Sequence, residues 1–199
     1  MTTFYLIRHG STDFIGKVLV GRMPGIHLNA EGRNQAARLA ERFSGIPISR
    51  IFSSPIERAL ETAEPLSREL GIAVRIAEEI SEVEYGEWTG RAVSDLVDDP
   101  AWQRYSSFRT GAHVPGGESV LELQNRLAGW METTRRAHPE ERIAVVSHAD
   151  PIRAALAHYI GLHLDMFHRV EISPASVSVV QVTDAGSSVL TLNNSELLP

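Results

Sequence analysis

Short, wholly apolar runs alternate along this chain with longer amphipathic stretches. Phe4 to Ile7, Ile51 to Ser53 and Ile143 to Val146 are compact apolar runs, and such runs predict strands buried on both faces. Val74 to Ile76 predicts a further strand. Helical periods lie between them. Asn29 is placed to cap a helix running to about Phe43, with Ala36, Leu39, Ala40 and Phe43 on one face. Pro55 stands where a first helical turn tolerates proline, and that helix runs to Leu70, where Gly71 ends it. Ser119 and Glu122 have capping-box spacing ahead of a helix reaching about Ala137. Pro151 to Ile160 reads as a helix closed by Gly161. Ser176 to Val182 alternates, Ala185–Gly186 turns, and Val189 to Leu192 returns, which predicts a terminal hairpin.

The stretch from Ser81 to Gly117 carries Gly86, Gly90, Pro100, Gly111, Pro115 and the pair Gly116–Gly117. It predicts loops and short helices covering one end of the sheet. Strands alternating with helices define an α/β protein, a three-layer α/β/α sandwich with a largely parallel central sheet, to which the hairpin adds an antiparallel part. With no repeat, low-complexity segment or linker, residues 1–199 read as a single domain. The hairpin would also leave an edge strand through which a homodimer can pair.

Composition narrows the function. Hydrophobic residues make up 43% and charged residues 22%, enough apolar material for a packed core. The absence of cysteine excludes disulfides, thiolate metal sites and cysteine nucleophiles. A formal net charge of −6 without basic tracts argues against nucleic acid and anionic membranes as partners. No apolar run approaches the ~20 residues of a membrane span, and the N-terminus lacks a basic leader and a cleavage site. The expectation is a cytoplasmic protein. An anionic substrate would have to be drawn in by a local cationic cluster against the overall field.

Three apolar runs supply such a cluster. Phe4–Ile7 leads into Arg8-His9-Gly10, Ile51–Phe52 into Ser53-Ser54-Pro55 with Arg58 one turn on, and Ile143–Val146 into Ser147-His148. Open α/β sheets bind ligands at the carboxyl ends of their strands, which would bring Arg8, His9, Arg58 and His148 into one crevice. Arginine forks suit phosphate oxygens, and a neutral imidazole held through its other nitrogen can attack phosphorus. A leaving alkoxide also needs a proton, and Glu82 or Glu84 can supply one. The remaining histidines (His27, His113, His138, His158, His163 and His168) show no recognisable metal-ligand spacing, so neither a metal nor another cofactor is expected.

Leu6-Ile7-Arg8-His9-Gly10-Ser11-Thr12 resembles the signature of the histidine phosphatase superfamily, the phosphoglycerate-mutase-like fold. Further segments follow in that family's order. They are Leu28 to Ala36, Ser53-Ser54-Pro55-Ile56-Glu57-Arg58-Ala59-Leu60-Glu61-Thr62-Ala63, Glu82 to Gly90, Pro115 to Ser119, and Val145-Val146-Ser147-His148. The resemblance implies a phosphatase acting on small-molecule phosphate monoesters through a phosphohistidine on His9. It implies that Arg8, Arg58 and His148 bind the phosphoryl oxygens, that Glu82 is the general acid and later the base, and that Glu84 is structural. The amide of Ala149 and the side chain of Arg22 are further candidate substrate contacts. At one position the chain departs from the pattern. Where many members place a phosphate-touching asparagine, it has Ile15, and Ser11, Thr12 or Asp13 are the candidates to substitute. Two other functions fit the same fold. One is a cofactor-dependent phosphoglycerate mutase, disfavoured by the chain's length and by Val83, Glu84 and Tyr85 after Glu82, where mutases place basic residues. The other is a non-catalytic phospho-ligand sensor, disfavoured because all five expected positions are filled. Trp88, Trp102, Tyr105 and Phe108 lie in the cover, where packing among themselves is the first expectation and contact with a ring-bearing leaving group the second.

Overall fold

The structure of the protein, a computed structural model, describes residues 1–196 and 198. Its strands are β1 (Thr2–Arg8), β2 (Arg50–Ser53), β3 (Val74–Ile76), β4 (Arg142–Ser147), β5 (Val177–Val182) and β6 (Ser187–Asn194). Its α-helices are α1 (Ala30–Arg42), α2 (Glu57–Leu70), α3 (Pro100–Ser107), α4 (Val120–Ala137) and α5 (Ala149–Ile160). The strands form one sheet in the order β3-β2-β4-β1-β5-β6. β3, β2, β4 and β1 are parallel, and β5 runs antiparallel to both of its neighbours, β1 and β6. β6 is an edge strand, as the hairpin predicted.

The continuous apolar runs make sense on this sheet because its inner strands are covered on both faces. Phe4, Leu6, Ile143 and Val145 point to one side, against Leu127 and Met131 of α4 and Ile152 and Leu156 of α5. Tyr5, Ile7, Ala144 and Val146 point to the other, against Leu39 and Phe43 of the α1 end and Ala59, Ala63 and Leu66 of α2. This is the expected three-layer sandwich. A third apolar cluster lies within the Ser81–Gly117 cover and its contacts with α4 and α5, built around Trp88, Tyr105 and Phe167. The cover's aromatic rings therefore pack on one another, with Trp88 edge-on to Trp102 and Tyr105 at 5.4 and 5.3 Å, while Phe108 is exposed.

Two helix starts differ from the sequence reading. α2 begins after Pro55, at Glu57, because the Ser54 hydroxyl accepts the Ile56 amide and holds Ser54–Ile56 as a turn outside the helix. α5 begins two residues before Pro151, directly after His148. Proline is tolerated there because first-turn amides have no partner within the helix. The other boundaries follow their caps. The Asn29 side chain accepts the Gly32 amide, Ser119 and Glu122 form the capping box, and Gly71 and Gly161 close α2 and α5 in left-handed conformation. No helix among the described residues is long and apolar enough to cross a membrane.

Candidate active site

The site lies where β1, β2 and β4 end. Parallel pairing sets Arg8 beside Ser147 and Ser53 beside Val146. The pairing continues past the strands, with the His9 amide on the Ser147 carbonyl and the Ser54 amide on the Val146 carbonyl, both at 3.0 Å. The residues after each strand thus emerge side by side.

His9 is buried and held on both ring nitrogens. Its Nδ1 lies 2.7 Å from the Gly10 carbonyl, which can only accept, so this nitrogen carries the proton. Nε2 is then a lone pair and accepts from Arg58 Nε at 3.2 Å. Burial, followed by the charges of Arg58 and Arg8, holds the imidazole well below its usual pKa, so it is neutral at pH 7. The segment carrying it is pinned from below: the Gly10 amide donates to Thr62 Oγ1, which donates to the Arg58 carbonyl. It also packs on the first turn of α1, where a Cβ on Gly32 would lie 2.1 Å from the Ser11 carbonyl oxygen. Glycine there is a requirement of close approach.

Arg58 is buried on α2, with Nη2 on the Gly21 carbonyl at 2.8 Å. Arg8 donates through Nη1 to the Ile172 carbonyl at 2.5 Å. His148 is fully buried, its ring edge-on to His9 at 5.1 Å, with Nε2 2.9 Å from Ser54 Oγ. If Ser54 donates, His148 Nδ1 is the protonated nitrogen. Arg8 Nε, Arg58 Nη1 and His148 Nδ1 are all buried and have no partner among the described residues. Other buried polar atoms, two on Arg109 among them, are also unpartnered, but these three belong to residues gathered where β1, β2 and β4 end. An unpaired buried polar group costs about 1–3 kcal/mol, which an acceptor bound there would relieve.

Glu82 lines the same pocket, and its Oε1 accepts the Val83 amide at 3.0 Å. Burial, then the neighbouring Asp150 carboxylate, push it up to about 7, against the pull of Arg58 and Arg8. The sequence reading gave Asp150 no part. It is buried at the start of α5, lines the pocket, accepts from the Tyr85 hydroxyl at 2.9 Å and pairs with Arg153 at 2.8 Å. Burial alone would raise its pKa, but Arg153, Arg109, His168 and Tyr85 together outweigh that and hold it ionised. The two pocket carboxyls are therefore pushed apart, one protonated near neutrality and the other charged, the arrangement that divides acid from base roles.

The weaker candidates separate. Thr12 and the N-terminal residue of α5, Ala149, line the pocket. Ser11 does not, its amide being taken by Gln35 and its carbonyl by the Asn29 amide. Asp13 is bound to the Asn29 side chain. Arg22 is also outside the lining. It braces the Glu82 carbonyl at 2.8 Å and faces Glu84 and Glu118. Glu84 is partly exposed, and its carbonyl accepts the Glu118 amide. Ile15 lines the pocket, and Phe14 and Val18 to Val20 extend an apolar wall that the sequence reading did not find.

The sheet order and the paired Arg-His and Ser-His strand ends accord with the family that the chain belongs to, the histidine phosphatase superfamily (branch 1), whose family model matches residues 4–195. Among proteins similar to it, phosphoserine phosphatase 1 of Hydrogenobacter thermophilus is 29% identical over 198 residues, covering 97% of this chain and 92% of that one. Phosphoglycerate mutase-like protein 4 of Arabidopsis thaliana is 32% identical over 154 residues, covering 75% and 67%. The solved structure of a phosphoserine phosphatase variant from Entamoeba histolytica, in complex with phosphoserine, shares the fold at a TM-score of 0.89 with 24% identity over 98% of each chain. The same protein has been solved with 3-phosphoglyceric acid.

Proposed function

We propose that this chain is a single-domain, cytoplasmic phosphatase that hydrolyses small-molecule phosphate monoesters through a phosphohistidine on His9, without a metal ion. The observation that carries the reading is a neutral His9 grouped with Arg8, Arg58 and His148, each of which keeps a buried side-chain nitrogen without a partner among the described residues. Donors fixed around a phosphoryl group stabilise charge spread over its equatorial oxygens, and do so without reorganising. Arg8 and Arg58 supply the positive charge that a metal provides in other phosphatases, and the two histidines, both held neutral by burial and these arginines, act through their ring nitrogens.

In the first step His9 Nε2 attacks phosphorus, the bond to the ester oxygen breaks, and protonated Glu82 gives its proton to the leaving alkoxide. In the second step Glu82, now a carboxylate, takes a proton from water. That water attacks phosphorus, the P–N bond breaks, and phosphate leaves. A carboxyl poised near pH 7 can perform both transfers. The relatives named for phosphoserine phosphatase support the reaction class. A mutase would need a further cation for its substrate's carboxylate, and among the described residues the cations lining the pocket are Arg8 and Arg58.

The test is chemical trapping. Glu82→Gln reacted briefly with p-nitrophenyl phosphate should accumulate an acid-labile, base-stable phosphoenzyme, because this leaving group needs little proton help while the second step lacks its base. Mass spectrometry should place the phosphate on the peptide holding His9, and His9→Ala should abolish turnover. Label on a serine, or near-normal turnover in His9→Ala, overturns the mechanism.

A further inference from the structure

We infer that the leaving group this site accepts is uncharged and apolar next to the phosphate, an alkyl or ring-bearing alcohol, and that esters carrying a carboxylate close to the phosphate are rejected. The inference rests on the phosphatase reading above and concerns only the other half of the pocket.

That half is formed by residues 14–20. Phe14, Ile15, Leu19 and Val20 line it, with Ile15 at the position where the family resemblance led us to expect a polar contact. The wall is built rather than loose. Val18 bridges to Ala92, the Leu19 amide donates to the Arg91 carbonyl, the Gly90 amide to the Leu19 carbonyl, and the Val93 amide to the Lys17 carbonyl. The pocket is small, about 150 Å³, room for a phosphoryl group and a few further atoms. The rest of a leaving group must lie at its mouth, where Phe14 and Ile15 are 39% and 36% exposed. Covering them removes apolar surface from water.

Charge points the same way. The lining holds two cations, Arg8 and Arg58, both committed to the phosphoryl group, and two carboxyls, Glu82 and Asp150. The nearby arginines are spent on protein. Arg22 takes the Glu82 carbonyl and Glu84, Arg153 takes Asp150 and the Val170 carbonyl, and Arg126 takes Glu118 and the Ser81 carbonyl. Lys17, the chain's one lysine, is exposed and outside the lining. A substrate carboxylate against this wall would meet apolar side chains and a charged Asp150, with no further cation among the described residues lining the pocket, and that repulsive element makes the site selective.

Alkyl phosphates are compared with phosphorylated acids, whose alcohols are more acidic and leave more readily, so leaving-group basicity works against the expected order. With the full chain, kcat/KM is expected to rise about twofold per methylene from ethyl to hexyl phosphate, half or less of the factor for complete burial. Hexyl phosphate should exceed 3-phosphoglycerate and phosphoserine at least tenfold. Ile15→Asn should flatten the chain-length dependence. A flat wild-type series, or 3-phosphoglycerate or phosphoserine at or above hexyl phosphate, overturns the inference while leaving the phosphatase reading intact. No turnover of any ester, p-nitrophenyl phosphate included, overturns the phosphatase reading and this one with it.

Discussion

Glu82→Gln should stabilise the fold at pH 8 and leave it unchanged near pH 4. In the unfolded chain a glutamate ionises near 4.5, whereas in the folded protein burial and the Asp150 charge push Glu82 to about 7. Below pH 4.5 both states hold the proton, and Glu82 adds no pH dependence. Between 4.5 and 7 unfolding releases a proton, so the wild type loses stability as pH rises, at about 1.4 kcal/mol per pH unit. Above 7 both states are ionised and the penalty levels off at a ceiling of about 3 kcal/mol. Glu82 keeps some solvent contact, which brings the expected gain to about 1–3 kcal/mol. Glutamine has the same shape and no charge, so the difference between the two proteins at each pH isolates this one carboxyl. The assay is urea unfolding of both at pH 4, 6, 7 and 8.5, followed by fluorescence of the three tryptophans. Buffers must be free of phosphate, which would stabilise the folded state by binding. The stability difference should open between pH 4.5 and 7 and stay constant above. A difference that is flat with pH, or a variant less stable at pH 8 than the wild type, would mean that attraction to Arg8 and Arg58 outweighs burial, and would refute the reasoning.

The same proton governs rate. kcat/KM for alkyl esters should fall above about pH 7, and Asp150→Asn should move that limb to lower pH by removing the charge that helps hold the proton on Glu82; a limb that stays in place assigns Asp150 no part in it. Gly32→Ala should cost about 2 kcal/mol or more and weaken vanadate binding, since its Cβ would sit 2.1 Å from a backbone oxygen of the segment that carries His9; a wild-type melting temperature would show that this contact relaxes freely. Turnover should survive EDTA and gain nothing from Mg²⁺ or Zn²⁺, and activity that a chelator abolishes and a metal restores would displace the two arginines as the source of charge neutralisation.

The layered fold was readable from the chain because its signals are local. Apolar runs such as Phe4–Ile7 and Ile143–Val146 follow from strands covered on both faces, and Asn29, Gly71, Ser119 and Gly161 act on backbone within a turn of themselves. His9, Arg8, Arg58, Glu82 and His148 were readable because each sits in a short, patterned segment at a strand or helix end. The misreadings concern helix starts, where a proline suggests the first turn. Ser54 draws Pro55 out of its helix, and the α5 start moves to the residue after His148.

The sequence by itself therefore determined the layer architecture and which groups gather at the strand ends. Only the tertiary structure decided which ring nitrogen of His9 is free, that Asp150 faces Glu82's pocket under Tyr85 and Arg153, that Arg22 is spent on the Glu82 carbonyl, and that residues 14–20 wall the leaving-group side. Apart from the His9–Gly10 and Asp150–Arg153 contacts, these join segments far apart along the chain. Protonation, charge balance and pocket shape are set by distances through space, and no local pattern of residues encodes those distances.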